Sequence, residues 1–183
     1  MSNGRPPYLP GDRGAEAGVD AMIRVDHAGE YGAVRIYEGQ LAVIGRGRVR
    51  DEIRRMAEQE KRHLARFDAL LRDRQVPPTV LQPLWHIAGF ALGAATALLG
   101  ERAAMACTVA VEDVIDEHYR SQAENLAGDE PQIVATIEEF RADELRHRDI
   151  ALEHGATETP GYELISAAVK AGSRLAIWLS QRI

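Results

Sequence analysis

Cysteine occurs once, at Cys107, so the chain can close no disulfide on itself, which fits a reducing compartment. Basic residues do not outnumber acidic ones. The formal charge is −6, and no basic stripe argues for a nucleic-acid partner. No stretch offers about 20 uninterrupted apolar residues, so an ordinary transmembrane helix is not expected. The opening MSNGRPPYLPGDRG lacks the apolar core of a secretory signal, and its Gly and Pro predict a disordered arm over residues 1–18. Strand-like alternation of apolar and polar residues is nearly absent, and aromatic residues are sparse.

What is present is helical periodicity. The 183 residues give room for one domain with a real core, expected over residues 19–183. A first helix is predicted from about Val19 to Ile44, ended by the glycines of GRG at 45–47. A second runs from about Val49 to Arg74, stopped by Pro77-Pro78. A third apolar region from Val80 to Ala127 is open to a break near Gly100. Pro131 suits a helix start, Gly155 a helix end, and a last helix runs from about Tyr162. Five or six helices with short links predict an all-α antiparallel bundle.

Two segments repeat a chemical pattern. EQEKRH at 58–63 and ELRH at 144–147 each place a glutamate three residues before a histidine, on one face of a helix. A lone glutamate precedes each pair, Glu30 by thirty residues and Glu112 by thirty-two. Seven residues after each lone glutamate stands a tyrosine, Tyr37 and Tyr119, almost two turns on and so on the same face. Helical neighbours of all four glutamates are mainly apolar: Ile23 and Val34 beside Glu30, Ile53 and Phe67 beside Glu60, Met105 and Ile115 beside Glu112, Ile137 and Phe140 beside Glu144. Such stripes face a bundle core. Four buried carboxylates would be costly and would repel one another. Two divalent cations would neutralise them, with His63 and His147 completing the coordination. One Glu from each of two helices and a Glu-x-x-His from each of the other two is the ligand pattern of a carboxylate-bridged di-metal bundle.

A single Glu-x-x-His on a charged helix is ordinarily solvated surface. The ordered recurrence E, ExxH, E, ExxH is what favours a site. Among neighbours, Asp143 is placed to hold a ligating histidine from behind, and Gln59 occupies the matching position in the first half. Tyr37 and Tyr119 line the cavity or fill the core. His27 and His118 are neighbours of the site, His118 lying about 240° around its helix from Glu112. Two further segments are apolar without being spans. Residues 84–100, LWHIAGFALGAATALLG, carry no charge, and the last helix combines Leu164, Leu175 and Trp178 with Lys170, Arg174 and Arg182. Both read as core or as membrane-surface helices, the second reading being favoured by their joint occurrence.

The motifs VDHAGEYGAVRIY, EQEKRH, ACTVAVEDVIDEHY and FRADELRHRD, with PLWHIAGFALGAATALLG and RLAIWLSQRI, resemble those of the demethoxyubiquinone hydroxylase family over about residues 21–183. The resemblance implies a ferritin-like fold and two iron ions per chain held by Glu30, Glu60, His63, Glu112, Glu144 and His147. Glu60 and Glu144 would bridge the ions. It implies a monooxygenase that uses dioxygen to hydroxylate the ring of a polyprenylated 2-methoxy-benzoquinone or quinol. The reductant would be NADH, although no glycine-rich nucleotide fingerprint follows a strand. A membrane surface and a lipid-presenting protein of the same pathway are implied partners. The implied location is the cytoplasmic face of a bacterial cell membrane or the matrix face of the mitochondrial inner membrane. A ferroxidase or storage protein would share the six ligands but has no use for the apolar segments, and a helical scaffold has no use for the ligands.

Overall fold

The computed structural model describes residues 15–126 and 128–182. The first fourteen residues of the expected arm lie outside the described residues, and helix begins at Ala15, four residues ahead of the predicted start. Six α-helices follow in order: α1 Ala15–Val43, α2 Arg48–Asp73, α3 Gln82–Leu98, α4 Glu101–Leu126, α5 Pro131–Glu153 and α6 Tyr162–Ser180. No strand occurs among the described residues. The architecture is that of a ferritin-like helical bundle.

The breaks follow local chemistry. α1 ends before the GRG glycines, and the Arg50 guanidinium donates to the Leu41 and Ile44 carbonyls that the last turn leaves unpaired. The long third region divides at Gly100, whose φ of +119° lies where only glycine sits without strain. Pro131 opens α5 and Gly155, at φ +79°, follows its end.

α1 packs along α2 and α4 along α5, giving two hairpins that meet across the bundle. α3 then folds back onto α1, and α6 folds back onto α4. The internal repeat seen in the ligand spacing is therefore a repeat of three helices. The α1–α3 contact is the most extensive in the molecule because the backbones nearly touch. A Cβ on Gly93 would collide with the Ile36 carbonyl, and one on Gly39 with the Phe90 carbonyl.

Each hairpin helix passes through the same three layers. One apolar cluster holds Tyr37, Ile53, Met56, Met105 and Ala151; a second holds Ile23, Phe67, Tyr119, Ile137 and Phe140. Glu30, Glu60, Glu112 and Glu144 fall between these clusters on their helices, so a polar layer crosses the middle of an otherwise apolar core. Cys107 is core, as expected, and burial pushes its thiol up to about 12.

Candidate metal centre

The six residues singled out in the sequence come together in that middle layer. They form two overlapping groups, Glu30, Glu60, His63 and Glu144, and Glu60, Glu112, Glu144 and His147, in each of which one donor atom per residue lies within 4.8 Å of the others. All six side chains are buried. Glu60 and Glu144, the glutamates of the Glu-x-x-His pairs, belong to both groups.

Both imidazoles turn the same nitrogen inward. His63 Nδ1 stands 3.1 Å from Glu144 Oε1 and 3.5 Å from Glu30 Oε2. His147 Nδ1 stands 3.0 Å from Glu60 Oε1 and 3.1 Å from Glu144 Oε2. The outward nitrogens are held from the opposite half: His63 Nε2 meets Asp143 Oδ2 at 3.0 Å, and His147 Nε2 meets Gln59 Oε1 at 3.3 Å. The tyrosines cross over too. Tyr37 donates to Glu112 Oε1 at 2.8 Å, and Tyr119 donates to Glu30 Oε1. Each lone glutamate is thus oriented by the other half's tyrosine, and each histidine by a residue preceding the other half's pair.

Several donor atoms remain without a hydrogen-bond partner. Glu30 Oε2, Glu60 Oε1, His63 Nδ1 and Glu144 Oε1 are buried and unsatisfied. Orphaned buried carboxylate oxygens are rare in native proteins. Here they all point into one space together with an imidazole nitrogen, which is the donor set a pair of divalent cations takes.

Residues 17–180 match the model of the family described as ubiquinone biosynthesis protein COQ7. The chain belongs to that family. Among its relatives is a protein of Rhodospirillum rubrum named 3-demethoxyubiquinol 3-hydroxylase, 56% identical over 176 residues, covering 96% of this chain and 83% of the relative. A Homo sapiens protein named NADPH-dependent 3-demethoxyubiquinone 3-hydroxylase, mitochondrial, is 51% identical over 176 residues, covering 94% of this chain and 81% of the relative. The Saccharomyces cerevisiae protein named 5-demethoxyubiquinone hydroxylase, mitochondrial, is 39% identical over 182 residues, with 90% and 78% covered.

In this COQ7-family chain the electrostatics of the layer follow from burial. Burial, then the neighbouring carboxylates, Glu144 foremost, push the Glu60 and Glu112 carboxyls well above the usual range. Burial alone would raise Glu144 as well, but the imidazoles of His147 and His63 beside it more than offset it and hold Glu144 down to about 2. Burial alone would lower His63, yet the carboxylates of Glu144 and Glu30 beside it lift it to about 9. Burial and the adjacent carboxylates keep Tyr37 and Tyr119 as neutral phenols, able to donate.

Beside this layer lies a cavity of about 310 Å³. Ala33, Ile36, Val111 and Ile115 of α1 and α4 form its inner side, next to the positions of Glu30 and Glu112; Trp85 and Leu92 of α3 and Ala176 and Ile177 of α6 wall it. Ala88 and Gly172, both exposed, mark its rim between those two helices. Trp85 Nε1 donates to Ser180 Oγ at 3.1 Å, tying the start of α3 to the end of α6.

A polar cluster outside the six was only half legible. His118 Nε2 lies 3.2 Å from Asp26 Oδ1, and Gln122 Nε2 donates to the same oxygen at 2.6 Å. The sequence places His118 near the site; Gln122, four residues after it on α4, carried no signal of its own. His27 pairs with Asp68 at 3.0 Å, and the exposed His86 accepts from Tyr31 at 2.6 Å.

Proposed function

We propose that the chain is a di-iron monooxygenase that hydroxylates the ring of a polyprenylated demethoxy-benzoquinone or quinol, an intermediate of ubiquinone biosynthesis. The observation that carries the metal reading is the pair of buried Glu/His groups sharing Glu60 and Glu144, with their inward atoms unsatisfied. Glu30, Glu60 and His63 would hold one ion with Glu144, and Glu112, Glu144 and His147 the other with Glu60. When bound, the ions supply two-electron activation of dioxygen. One oxygen atom replaces the ring hydrogen as a hydroxyl, and the other leaves as water with two electrons and two protons. A reduced nicotinamide cofactor is the proposed electron source. The family resemblance implies NADH, while the human relative's name states NADPH dependence.

The protein's own groups set the stage for that chemistry. Tyr37 and Tyr119 fix the two non-bridging carboxylates through one oxygen each, leaving the other oxygen free to ligate. Asp143 and Gln59 accept from the outward N–H of each imidazole, so that the inward Nδ1 lone pair faces the layer. The apolar cavity takes the quinone ring beside Glu30 and Glu112 and keeps bulk water from it.

The polyprenyl tail leaves between α3 and α6, and there the outer surface is greasy. Ile87, Leu98 and Leu99 of the α3 segment and Leu164, Leu175 and Trp178 of α6 are exposed. No described helix is long and apolar enough to cross a membrane. Two basic residues of α6 are spoken for, Lys170 pairing with Asp113 at 2.7 Å and Arg174 with Glu117 at 3.0 Å. The proposed membrane contact therefore rests on the apolar side chains rather than on free positive charge, and a lipid-presenting protein is a further proposed partner of the same face. The test is anaerobic loading with ferrous iron, followed by a demethoxy-quinone, reduced nicotinamide cofactor and air. Metal analysis of about two ions per chain and a product heavier by one oxygen atom are expected. Zinc retained in preference, or cofactor oxidation with no oxygenated product, would overturn the reading.

A further inference from the structure

The two candidate ion positions present the same kinds of donor. Each has one non-bridging glutamate, Glu30 or Glu112, oriented by a tyrosine from the other half. Both share Glu60 and Glu144. Each has one histidine presenting Nδ1 inward. The difference lies behind the histidines. His63 Nε2 rests 3.0 Å from the carboxylate of Asp143, whereas His147 Nε2 rests 3.3 Å from the side-chain amide of Gln59. With Nδ1 given to an ion, Nε2 must carry the proton, and only an oxygen can accept it. One imidazole therefore leans on a full negative charge and the other on a neutral dipole.

A carboxylate behind a ligating imidazole draws its N–H proton outward and makes the inward nitrogen a stronger donor. It also adds a negative charge near the ion. Arg146 pairs with Asp143 and offsets part of that charge, but its side chain is 64% exposed, so water screens the guanidinium more than the buried histidine edge. Phe140 stacks on His63 at 3.9 Å between ring centroids and covers its face, keeping the local dielectric low where the Asp143 bond acts. Among the described residues, His147 Nε2 has no recorded pairing with a carboxylate.

We infer that the two ion positions are inequivalent by construction: the Glu30/His63 position, backed by Asp143, binds its ion more tightly and fills first, and the Glu112/His147 position, backed by Gln59, is the exchangeable one. Asp143 and Gln59 are the positioning residues that set this order. The inference rests on the di-metal reading, and its test separates the two.

Manganese(II) is titrated into the metal-stripped full chain and followed by calorimetry and by electron paramagnetic resonance, which distinguishes an isolated ion from a coupled pair. In the wild type, one equivalent gives mainly the isolated signal and the second converts it to the coupled one. His147→Ala, which leaves the Glu30/His63 position whole, binds one ion about 10–100-fold more tightly than His63→Ala does. Asp143→Asn removes that gap in the His147→Ala background, and Gln59→Glu narrows it in the His63→Ala background. Circular dichroism establishes that each variant is folded, and Asp143→Asn in the otherwise native chain repeats the test with both histidines present: its two binding steps merge. Equal affinities in the two histidine variants, or an Asp143→Asn chain that melts earlier but binds both ions as the wild type does, overturns the inequivalence alone. A wild type that takes up no manganese or only one ion sinks the di-metal reading and the inference together.

Discussion

At the scale of single residues, the glutamates of the middle layer do opposite things to folding and to metal binding. Glu60 and Glu112 are pushed up by burial, so in metal-stripped protein they release their protons at higher pH than an ordinary glutamate does. A carboxyl whose folded pKa lies above its unfolded one, roughly 4.3 for Glu, stabilises the fold below that unfolded value. The contribution is lost as pH rises through the folded value. His63, raised to about 9, loses its contribution in the same direction, and Glu144, lowered to about 2, matters only in strong acid. Stripped protein should therefore melt at progressively lower temperature from about pH 5 toward 9, while metal affinity rises over the same window because each carboxyl must release its proton to ligate. Calorimetric titration in buffers of different ionisation enthalpy reads the released protons directly. Uptake of two ions without proton release would contradict the assigned burial effect.

The proposed bridging role is tested at the same scale. Glu60→Ala and Glu144→Ala each remove a carboxylate common to both groups, so hydroxylation should vanish and the ion pair should fail to assemble. The stripped variants should stay helical, since the apolar clusters on either side of the layer, and not its carboxylates, hold the helices together. Turnover at the native rate by either one would refute the shared roles. The six residues could be named from sequence because i, i+3 spacing and apolar flanks survive in one dimension. Their partners could not be paired. That Asp143 supports His63 rather than the His147 of its own segment, and that Tyr119 serves Glu30 rather than Glu112, depends on how the hairpins face each other.

Among elements, the pairing of α1 with α3 is set by glycine. Gly39, Gly89 and Gly93 let the two backbones approach until a methyl group no longer fits. Helix extents were largely legible because Pro77-Pro78, Pro131, Gly100 and Gly155 punctuate the chain, but the role of the packing glycines was not: Gly89 and Gly93 stand in LWHIAGFALGAATALLG, which reads only as an uncharged, greasy segment. Gly93→Ala would press its methyl into the Ile36 backbone, and Ile36 lines the cavity. A loss of about 1–3 kcal/mol of stability is expected from such overpacking, read as a lower urea midpoint with unchanged slope. Gly172→Ala is the control, for nothing lies within 4 Å of its added methyl. If both substitutions cost the same, close approach is not what the α1–α3 contact requires.

For the molecule as a whole, the twofold repetition of helix, helix and returning helix places α3 and α6 on either side of one cavity, with the ligand layer behind it. Sequence periodicity left open whether residues 84–100 and the last helix were core or surface. They are both: Ala97 and Val169 are buried on the inner face of each, while Leu98 at 75% exposure and Leu164 at 76% stand on the outer face. Each methylene of a polyprenyl tail gains about 0.8 kcal/mol from staying in an apolar phase, so a quinone of several prenyl units will not leave a bilayer for water. An enzyme acting on it has reason to bring its opening to the lipid. Ile87→Glu, Leu98→Glu and Leu175→Glu alter side chains that face outward, whereas Phe90 lies beneath the Arg35 guanidinium at 5.2 Å and would confound the test by disturbing packing. On the proposed reading, these variants bind liposomes more weakly in flotation assays and lose more activity on a long-tailed substrate than on a short-tailed soluble analogue. Equal losses on both substrates would assign the exposed residues to packing around the cavity, and liposome binding as strong as the wild type's would remove the membrane from the account.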